Sequence, residues 1–159
     1  MTTIGFDRHD HTHCIDGALR AAEAQCAERK LQFTPVRRRV LEILLQEHRA
    51  LGAYDILHVL TADGLGSQPP AVYRALDFLV QNGLVHRIER LNAYAACAHL
   101  GQSHTPAFLI CRSCRTVAEA DSGLQRGRLG QVAKDAGFCI ERTVVEAEGL
   151  CPACRETGA

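Results

Sequence analysis

Residues 69–83 read PPAVYRALDFLVQNG, and this stretch decides the fold of the chain. The two prolines predict the start of a helix, and Asn82-Gly83 predicts its end, because glycine readily adopts the left-handed backbone of a C-cap. Apolar residues recur at helical spacing and are expected to face a core, namely Val72, Leu76, Leu79 and Val80. The opposite face is expected to present Ala71, Tyr73, Arg74, Asp77 and Gln81.

The segments on either side of this helix point to a DNA-binding architecture. Thr34-Pro35 predicts the start of an earlier helix, and a second helix is predicted from about Ala53 to Ala62. Two short alternating runs follow, at residues 84–89 and 93–98, and predict a β-hairpin. Three helices and a hairpin in this order indicate a winged helix-turn-helix, whose third helix enters the major groove of DNA. The alternative is a small helical domain whose polar face only contacts water.

The net charge of the chain gives no support to a nucleic-acid partner. The 159 residues include 18 Lys and Arg against 18 Asp and Glu, and residues 33–93 are nearly neutral as well. DNA-binding domains are usually basic, so any contact here depends on where a few side chains are placed. The candidates are Arg74 and Tyr73 on the third helix, the Arg37–Arg39 cluster with Arg37 foremost, and Arg87 or Arg90 on the wing.

The N-terminal part of the chain is polar before the first helix. Residues 1–15 are rich in histidine and predict a flexible tail. Apolar residues at helical spacing then predict a helix from Asp16, as its N-cap, to about Arg29. We expect a winged-helix DNA-binding domain at residues 16–93 and a metal-binding dimerisation domain at residues 94–159.

The second domain is expected to be a small sheet with one helix. Strands are predicted at residues 106–110, 116–120 and 138–148, and a helix from Ser122 to about Ala136. Such a sheet cannot bury both of its faces alone, which predicts a homodimer formed through a sheet edge. The predicted fold class is therefore α+β, with an N-terminal winged helix-turn-helix domain followed by a small α/β dimerisation domain.

Four of the eight cysteines form two Cys-x-x-Cys pairs, Cys111/Cys114 and Cys151/Cys154. The N-terminus has acids and histidines where an export signal has a basic end and an apolar block, so we expect a cytoplasmic protein without a disulfide framework. Two such pairs can supply the thiolates of a structural zinc site. The alternatives are two unrelated thiol pairs or a thioredoxin-like redox motif, but a redox motif needs only one pair, followed by a helix.

A second set of candidate metal ligands lies around the predicted domain boundary, at His86, Cys97, His104 and Glu119. A thiolate among nitrogen and oxygen donors favours Zn²⁺ over Fe²⁺ or Mn²⁺. From the residues alone, a surface histidine on the wing and a core cysteine at the strand end are the favoured explanation of the pattern. His99 competes with His104, because it also lies near Cys97.

Taken together, residues 34–37, residues 69–79 and the two Cys-x-x-Cys pairs resemble the ferric uptake regulator family. Residues 84–89, Cys97 and residues 103–105 resemble its zinc uptake regulator branch, and the resemblance covers about residues 20–155. It implies a homodimeric repressor that binds palindromic operator DNA when loaded with zinc and controls zinc uptake genes. It also implies that Tyr73 and Arg74 contact DNA.

The same resemblance implies one structural and one regulatory zinc ion in each subunit. The structural site would take Cys111, Cys114, Cys151 and Cys154. The regulatory site would take His86, Cys97, His104 and Glu119, and would draw them from both domains.

The chain departs from the iron-sensing relatives at residues 97–100. These read Cys-Ala-His-Leu where the iron sensors have a histidine-rich cluster, which argues against iron. An iron, manganese or peroxide sensor of the same family remains the alternative. A thiol oxidoreductase is not expected, because both Cys-x-x-Cys pairs would be held as metal ligands. A zinc hydrolase is not expected either, since four protein ligands leave no open position on the metal for water. No role is assigned to His9, His11, His13, Cys14, Cys26 or Cys139.

Overall fold

A computed structural model of the protein describes residues 6, 11–47, 49–66, 68–124 and 126–158. The chain forms two compact units, one of residues 7–101 and one built on residues 102–159. The division falls after Gly101, later than the expected boundary at residue 93. The reason is that residues 93–96 pair with the first strand of the hairpin and so stay with the first unit.

The first unit contains the predicted helices and hairpin. Its helices are α1 (His11–Glu28), α2 (Pro35–Gln46), α3 (Ala53–Ala62) and α4 (Pro69–Gln81), and its strands are β1 (Val85–Ile88) and β2 (Ala93–Ala96). The strands are antiparallel. Leu51 forms an isolated antiparallel β-bridge with Tyr94, through backbone hydrogen bonds of 2.9 and 2.8 Å. This arrangement is a winged helix-turn-helix, as predicted.

The core of the first unit lies between α2, α3 and α4. Its fully buried side chains include Val40, Leu41, Leu44, Ile56, Leu60, Val72, Leu76, Leu79 and Leu84. Val80 was expected in this core but is 37% exposed, because it lies at the edge of the apolar stripe of α4. Ala75 is buried on that stripe instead.

Helix α1 begins earlier than predicted. It starts at His11, so Asp16 lies inside the helix and is not its N-cap. Residues 11–15, expected to belong to a flexible tail, are therefore helical, while residues 1–5 and 7–10 lie outside the described part of the chain. Leu19, Ala22 and Cys26 pack into the core. Among the residues described, no helix combines the length and apolar character needed to cross a membrane.

The second unit contains β3 (Pro106–Cys111), β4 (Val117–Asp121), α5 (Arg128–Asp135), β5 (Val145–Gly149) and α6 (Pro152–Glu156). The sheet order is β4-β3-β5, with β3 antiparallel to β4 and parallel to β5. Strand β5 therefore forms one edge of this sheet.

Two predicted elements of the second unit are shorter in the structure. The predicted helix start at Ser122 is wrong, because the Ser122 hydroxyl accepts a hydrogen bond from the Leu124 N–H in a local turn and α5 begins only at Arg128. The third strand begins at Val145, not at Phe138, since pairing with β3 starts where Val145 lies opposite Ala107. Phe138 is 67% exposed.

Candidate metal centres and nucleic-acid surface

The parallel pairing of β3 with β5 brings the two Cys-x-x-Cys pairs together. Cys111 ends β3 and lies opposite Gly149, the last residue of β5. Two residues later Cys151 is the N-cap of α6, which carries Cys154. Cys114 lies on the turn between β3 and β4, where Arg115 takes a left-handed backbone with φ of 62°. All four predicted structural ligands therefore meet within the second unit.

The separations of these four thiols fit a tetrahedral metal site. The four Sγ atoms lie within 4.8 Å of one another, and the Cys114 and Cys151 Sγ atoms are 3.7 Å apart. A disulfide would bring two sulfurs to about 2.05 Å. Zinc–sulfur bonds of about 2.3 Å in a tetrahedron place neighbouring sulfurs about 3.8 Å apart. The donor set and its spacing thus fit Zn²⁺.

Hydrogen bonds lower the thiol pKa of two of these cysteines and so favour the thiolate form that binds a cation. The backbone N–H groups of Cys114 and Cys151 hydrogen bond to the Cys111 sulfur and lower the pKa of its thiol to about 6. The Thr116 hydroxyl, 3.1 Å from the Cys114 Sγ, and the Thr116 N–H lower the pKa of Cys114. The Ser113 hydroxyl lowers the pKa of Cys154, but interaction with Cys151 and burial raise it to about 11. A metal ion binding here would displace the proton that Cys154 retains.

The predicted regulatory ligands divide between the two units. In the first unit, His86 lies on β1 and Cys97 directly follows β2, held by its N–H donating to the Leu84 carbonyl at 3.0 Å. Cys97 is 3% exposed, and its Sγ lies within 4.8 Å of a ring nitrogen of His86. The N–H of His99 donates to the Cys97 Sγ at 3.4 Å. This unit therefore offers one nitrogen and one sulfur donor at close range.

The second unit offers an imidazole and a carboxylate. The His104 Nε2 lies 2.6 Å from the Glu119 Oε1, and its Nδ1 lies 2.8 Å from the Gln102 carbonyl. Glu119 on β4 is only 5% exposed. Burial lowers the pKa of His104, but the hydrogen bonds to Gln102 and Glu119 raise it above its usual range. Each unit thus holds a pair of potential metal donors, and two donors are half of what a tetrahedral zinc site takes.

The candidate DNA-contacting residues lie on α4 and on the hairpin. Tyr73 is 41% exposed, and Arg74 beside it is exposed. Arg74 makes no ion pair or hydrogen bond with any residue that the structure describes. Arg87 and Arg90 are exposed on the hairpin, where Arg87 donates to the Asn92 side chain at 3.0 Å. Arg74, exposed and with donors that no described residue occupies, is suited to reading a base edge or a phosphate.

Arg37 lies in a different environment from Arg74. Its guanidinium carbon is 3.7 Å from the centroid of the Phe78 ring on α4, and it donates a hydrogen bond to the Gln32 carbonyl. The sequence pattern places Arg37 on the polar face of α2 and carries no signal for this contact. Phe78 and Thr116 were likewise not predicted as contributors to either site, because their partners lie far away in the sequence or across a turn.

Comparison with known proteins places these features in a family. Residues 28–147 match the ferric uptake regulator family. The zinc uptake regulation protein of Escherichia coli is 39% identical over 142 residues, which cover 89% of this chain and 83% of the relative. The ferric uptake regulation protein of Bordetella parapertussis is 30% identical over 128 residues, 79% of this chain and 91% of the relative.

The fold is also similar to a solved structure of a relative. A zinc uptake regulator complexed with zinc and DNA matches with a TM-score of 0.86 and 38% identity, over 91% of this chain and 97% of that chain. The chain therefore belongs to the ferric uptake regulator family, and most of its length is similar to the zinc uptake regulators within it.

Proposed function

We propose that the protein is a zinc-responsive transcriptional repressor that binds palindromic operator DNA as a homodimer and controls zinc uptake genes. The observation that carries the proposal is the similarity, over 91% of the chain, to a zinc uptake regulator solved with zinc and DNA. The chain's own metal donors and its exposed recognition helix support the same function. Catalysis is not part of the proposal.

The structural zinc ion is proposed to bind Cys111, Cys114, Cys151 and Cys154. The separations of the four sulfurs support this assignment, and so do the lowered pKa values of the Cys111 and Cys114 thiols. These ligands come from the end of β3, the following turn, the N-cap of α6 and α6 itself, so a bound ion would connect β3 to α6. Zinc bound by four thiolates supplies folding stability and leaves no open position for chemistry.

The regulatory zinc ion is proposed to bind His86, Cys97, His104 and Glu119. Each unit holds two of these donors close together, and two donors are too few to complete a tetrahedral site. Ligation by both pairs would limit the relative motion of the units and so raise the fraction of protein able to bind DNA. Cys97 supports zinc over iron or manganese, because a thiolate is a softer ligand.

The DNA contacts are proposed to come from Tyr73 and Arg74 on α4. Their exposure on the third helix of a winged helix-turn-helix supports contact with base edges. The homodimer is supported by exposed apolar side chains on the second unit, among them Leu129, Val132 and Phe138. Two subunits would place two recognition helices on a palindromic site.

The experiment that tests this proposal measures metal and DNA binding together. Metal content is determined on protein purified without added metal. The zinc-loaded protein is then used to select a duplex of roughly 30 base pairs from random sequences. This duplex is titrated with the protein in the presence and absence of added Zn²⁺. We expect one retained zinc ion per subunit and tight DNA binding only when Zn²⁺ is added. DNA binding driven equally well by Fe²⁺ or Mn²⁺ would instead favour an iron or manganese sensor of the same family.

A further inference from the structure

The guanidinium of Arg37 is already engaged within the protein. It lies over the Phe78 ring, 3.7 Å from the ring centroid, and donates to the Gln32 carbonyl. The N–H of Arg37 donates to the Thr34 hydroxyl at 3.3 Å, which fixes the start of α2. An arginine held in this way has one face of its guanidinium and one N–H donor occupied, and so has fewer donors for a phosphate than an unengaged arginine.

Phe78 lies on the C-terminal half of α4, where further polar contacts converge. Its carbonyl accepts hydrogen bonds from the Asn82 N–H at 3.2 Å and from the Asn82 side chain at 2.8 Å. The Asn82 carbonyl in turn accepts a hydrogen bond of 2.8 Å from the Gln25 side chain on α1. The C-terminal end of α4 is thereby held by α1 through Gln25 and by α2 through Arg37.

The contacts at the C-terminal end of α4 fix the orientation of the helix and therefore the position of its exposed residues. Tyr73 and Arg74 precede Phe78 by one turn or little more, about 6 Å along the helix axis. A helix is stiff over that length, so a tilt at Phe78 moves Arg74 as well. Base readout by a bidentate arginine depends on accurate placement of the guanidinium.

We propose that Arg37 is a positioning residue, which aligns the recognition helix α4 through Phe78 and does not itself contact DNA. The inference rests on the proposed function, since it requires that α4 reads an operator. It differs from the expectation, drawn from sequence, that Arg37 touches DNA directly.

The test is a double-mutant cycle with Arg37→Gln, Phe78→Leu and the double variant. Each zinc-loaded protein is titrated with the selected duplex and with unselected random duplex over a range of salt concentrations. We expect each single variant to lower the ratio of selected to random affinity by about 3- to 30-fold, the worth of one cation–π contact. In the double variant this ratio should fall by no more than in the more affected single variant, because both substitutions remove the same contact. The salt dependence should stay the same.

Direct phosphate contact by Arg37 predicts the opposite pattern. Arg37→Gln would then weaken binding to both duplexes equally and lower the slope of log affinity against log salt by about 0.9. The losses of the two single variants would multiply in the double variant, and either result would overturn the inference. Arg38→Gln is the matched control, because Arg38 is exposed on the same helix and pairs with Glu23, away from Phe78.

A second measurement keeps the inference testable if a variant binds DNA poorly for other reasons. Amide hydrogen exchange of residues 78–82 in the DNA-free protein should become faster in Arg37→Gln and Phe78→Leu than in Arg38→Gln. Unchanged exchange would contradict the inference. Failure of the zinc-loaded wild type to select any duplex would contradict the proposed function itself, whereas selection with an additive cycle would contradict only the role of Arg37.

Discussion

Two arginines of the first unit show that the surroundings of a side chain decide which of its hydrogen-bond donors can reach DNA. Arg74 is exposed on α4 without an ion pair or hydrogen bond to the described residues, while Arg37 lies over the Phe78 ring. Their side chains are chemically identical, yet only Arg74 has its full set of donors open to a base. In a domain whose charges nearly cancel, specificity depends on such individual placements and not on a basic surface.

Replacing Arg74 by alanine should weaken operator binding selectively. We expect a loss of about 10- to 100-fold on the selected duplex and a much smaller loss on random duplex, since a bidentate base contact is removed. Fluorescence anisotropy titrations measure both affinities. Gln81→Ala, exposed at the end of the same helix, is the control. Equal losses on both duplexes would mean that Arg74 only contacts phosphate.

The two cysteines of α1 provide a residue-level test of the packing. Cys14 is exposed, whereas Cys26 is 1% exposed and burial raises the pKa of its thiol. In native protein at mildly alkaline pH, iodoacetamide should modify Cys14 and leave Cys26 unmodified until the protein unfolds. Peptide mass spectrometry measures both sites. Comparable labelling of the two thiols would contradict the packing of α1 on the core.

At the scale of elements, the first unit was more predictable from sequence than the second. Proline marks the starts of α2 and α4, and Asn-Gly marks the end of α4. The spacing of apolar residues marks α3 and the hairpin, because each of these elements buries one face. Helix α5 and strand β5 carry no such signals at their starts. Ser122 forms a local turn, and the strand starts only where a backbone partner exists, which a single sequence does not reveal.

The same contrast applies to the metal ligands. The four-thiolate site is predictable because Cys-x-x-Cys spacing is itself a metal-binding signal. The pairing of His104 with Glu119 depends on β4 lying beside the 102–105 loop, so spacing alone left His99 as a competitor of His104. Resemblance to a family, not periodicity, identified that pair.

The start of α2 offers a test at this scale. The Thr34 hydroxyl accepts a hydrogen bond from the Arg37 N–H, so Thr34→Ala should lower the free energy of unfolding by about 1 kcal/mol. Thr34→Ser keeps the hydroxyl and should retain wild-type stability. Urea titration followed by circular dichroism gives both values. If the alanine and serine variants were equally stable, the hydroxyl would not act as the cap.

At the scale of the whole molecule, two units with separate cores carry separate tasks. The first unit holds the helices and the hairpin proposed to contact DNA, and the second holds the four-thiolate cluster. The proposed regulatory site would take two donors from each unit, His86 and Cys97 from the first and His104 and Glu119 from the second. Zinc availability would then act on DNA binding without altering either core.

Loss of the structural zinc should therefore affect one unit more than the other. Cys151→Ser should release that zinc ion and speed amide exchange in β3–β5, while α2–α4 keep wild-type protection. Hydrogen exchange with mass spectrometry resolves the two units, and Cys139→Ser is the control because Cys139 is exposed and is not a proposed ligand. Equal loss of protection in both units would contradict independent cores.

The most direct test of the account is operator binding by the wild type and by Cys97→Ser as free Zn²⁺ is raised, with bound zinc counted in parallel. The wild type should hold one zinc ion per subunit in a buffered chelator and bind the selected duplex tightly only as a second ion is taken up. Cys97→Ser should keep the first ion and show little or no zinc-dependent gain in affinity. If Cys97→Ser binds the duplex as tightly as the wild type while holding a single zinc ion, the proposed regulatory site is wrong.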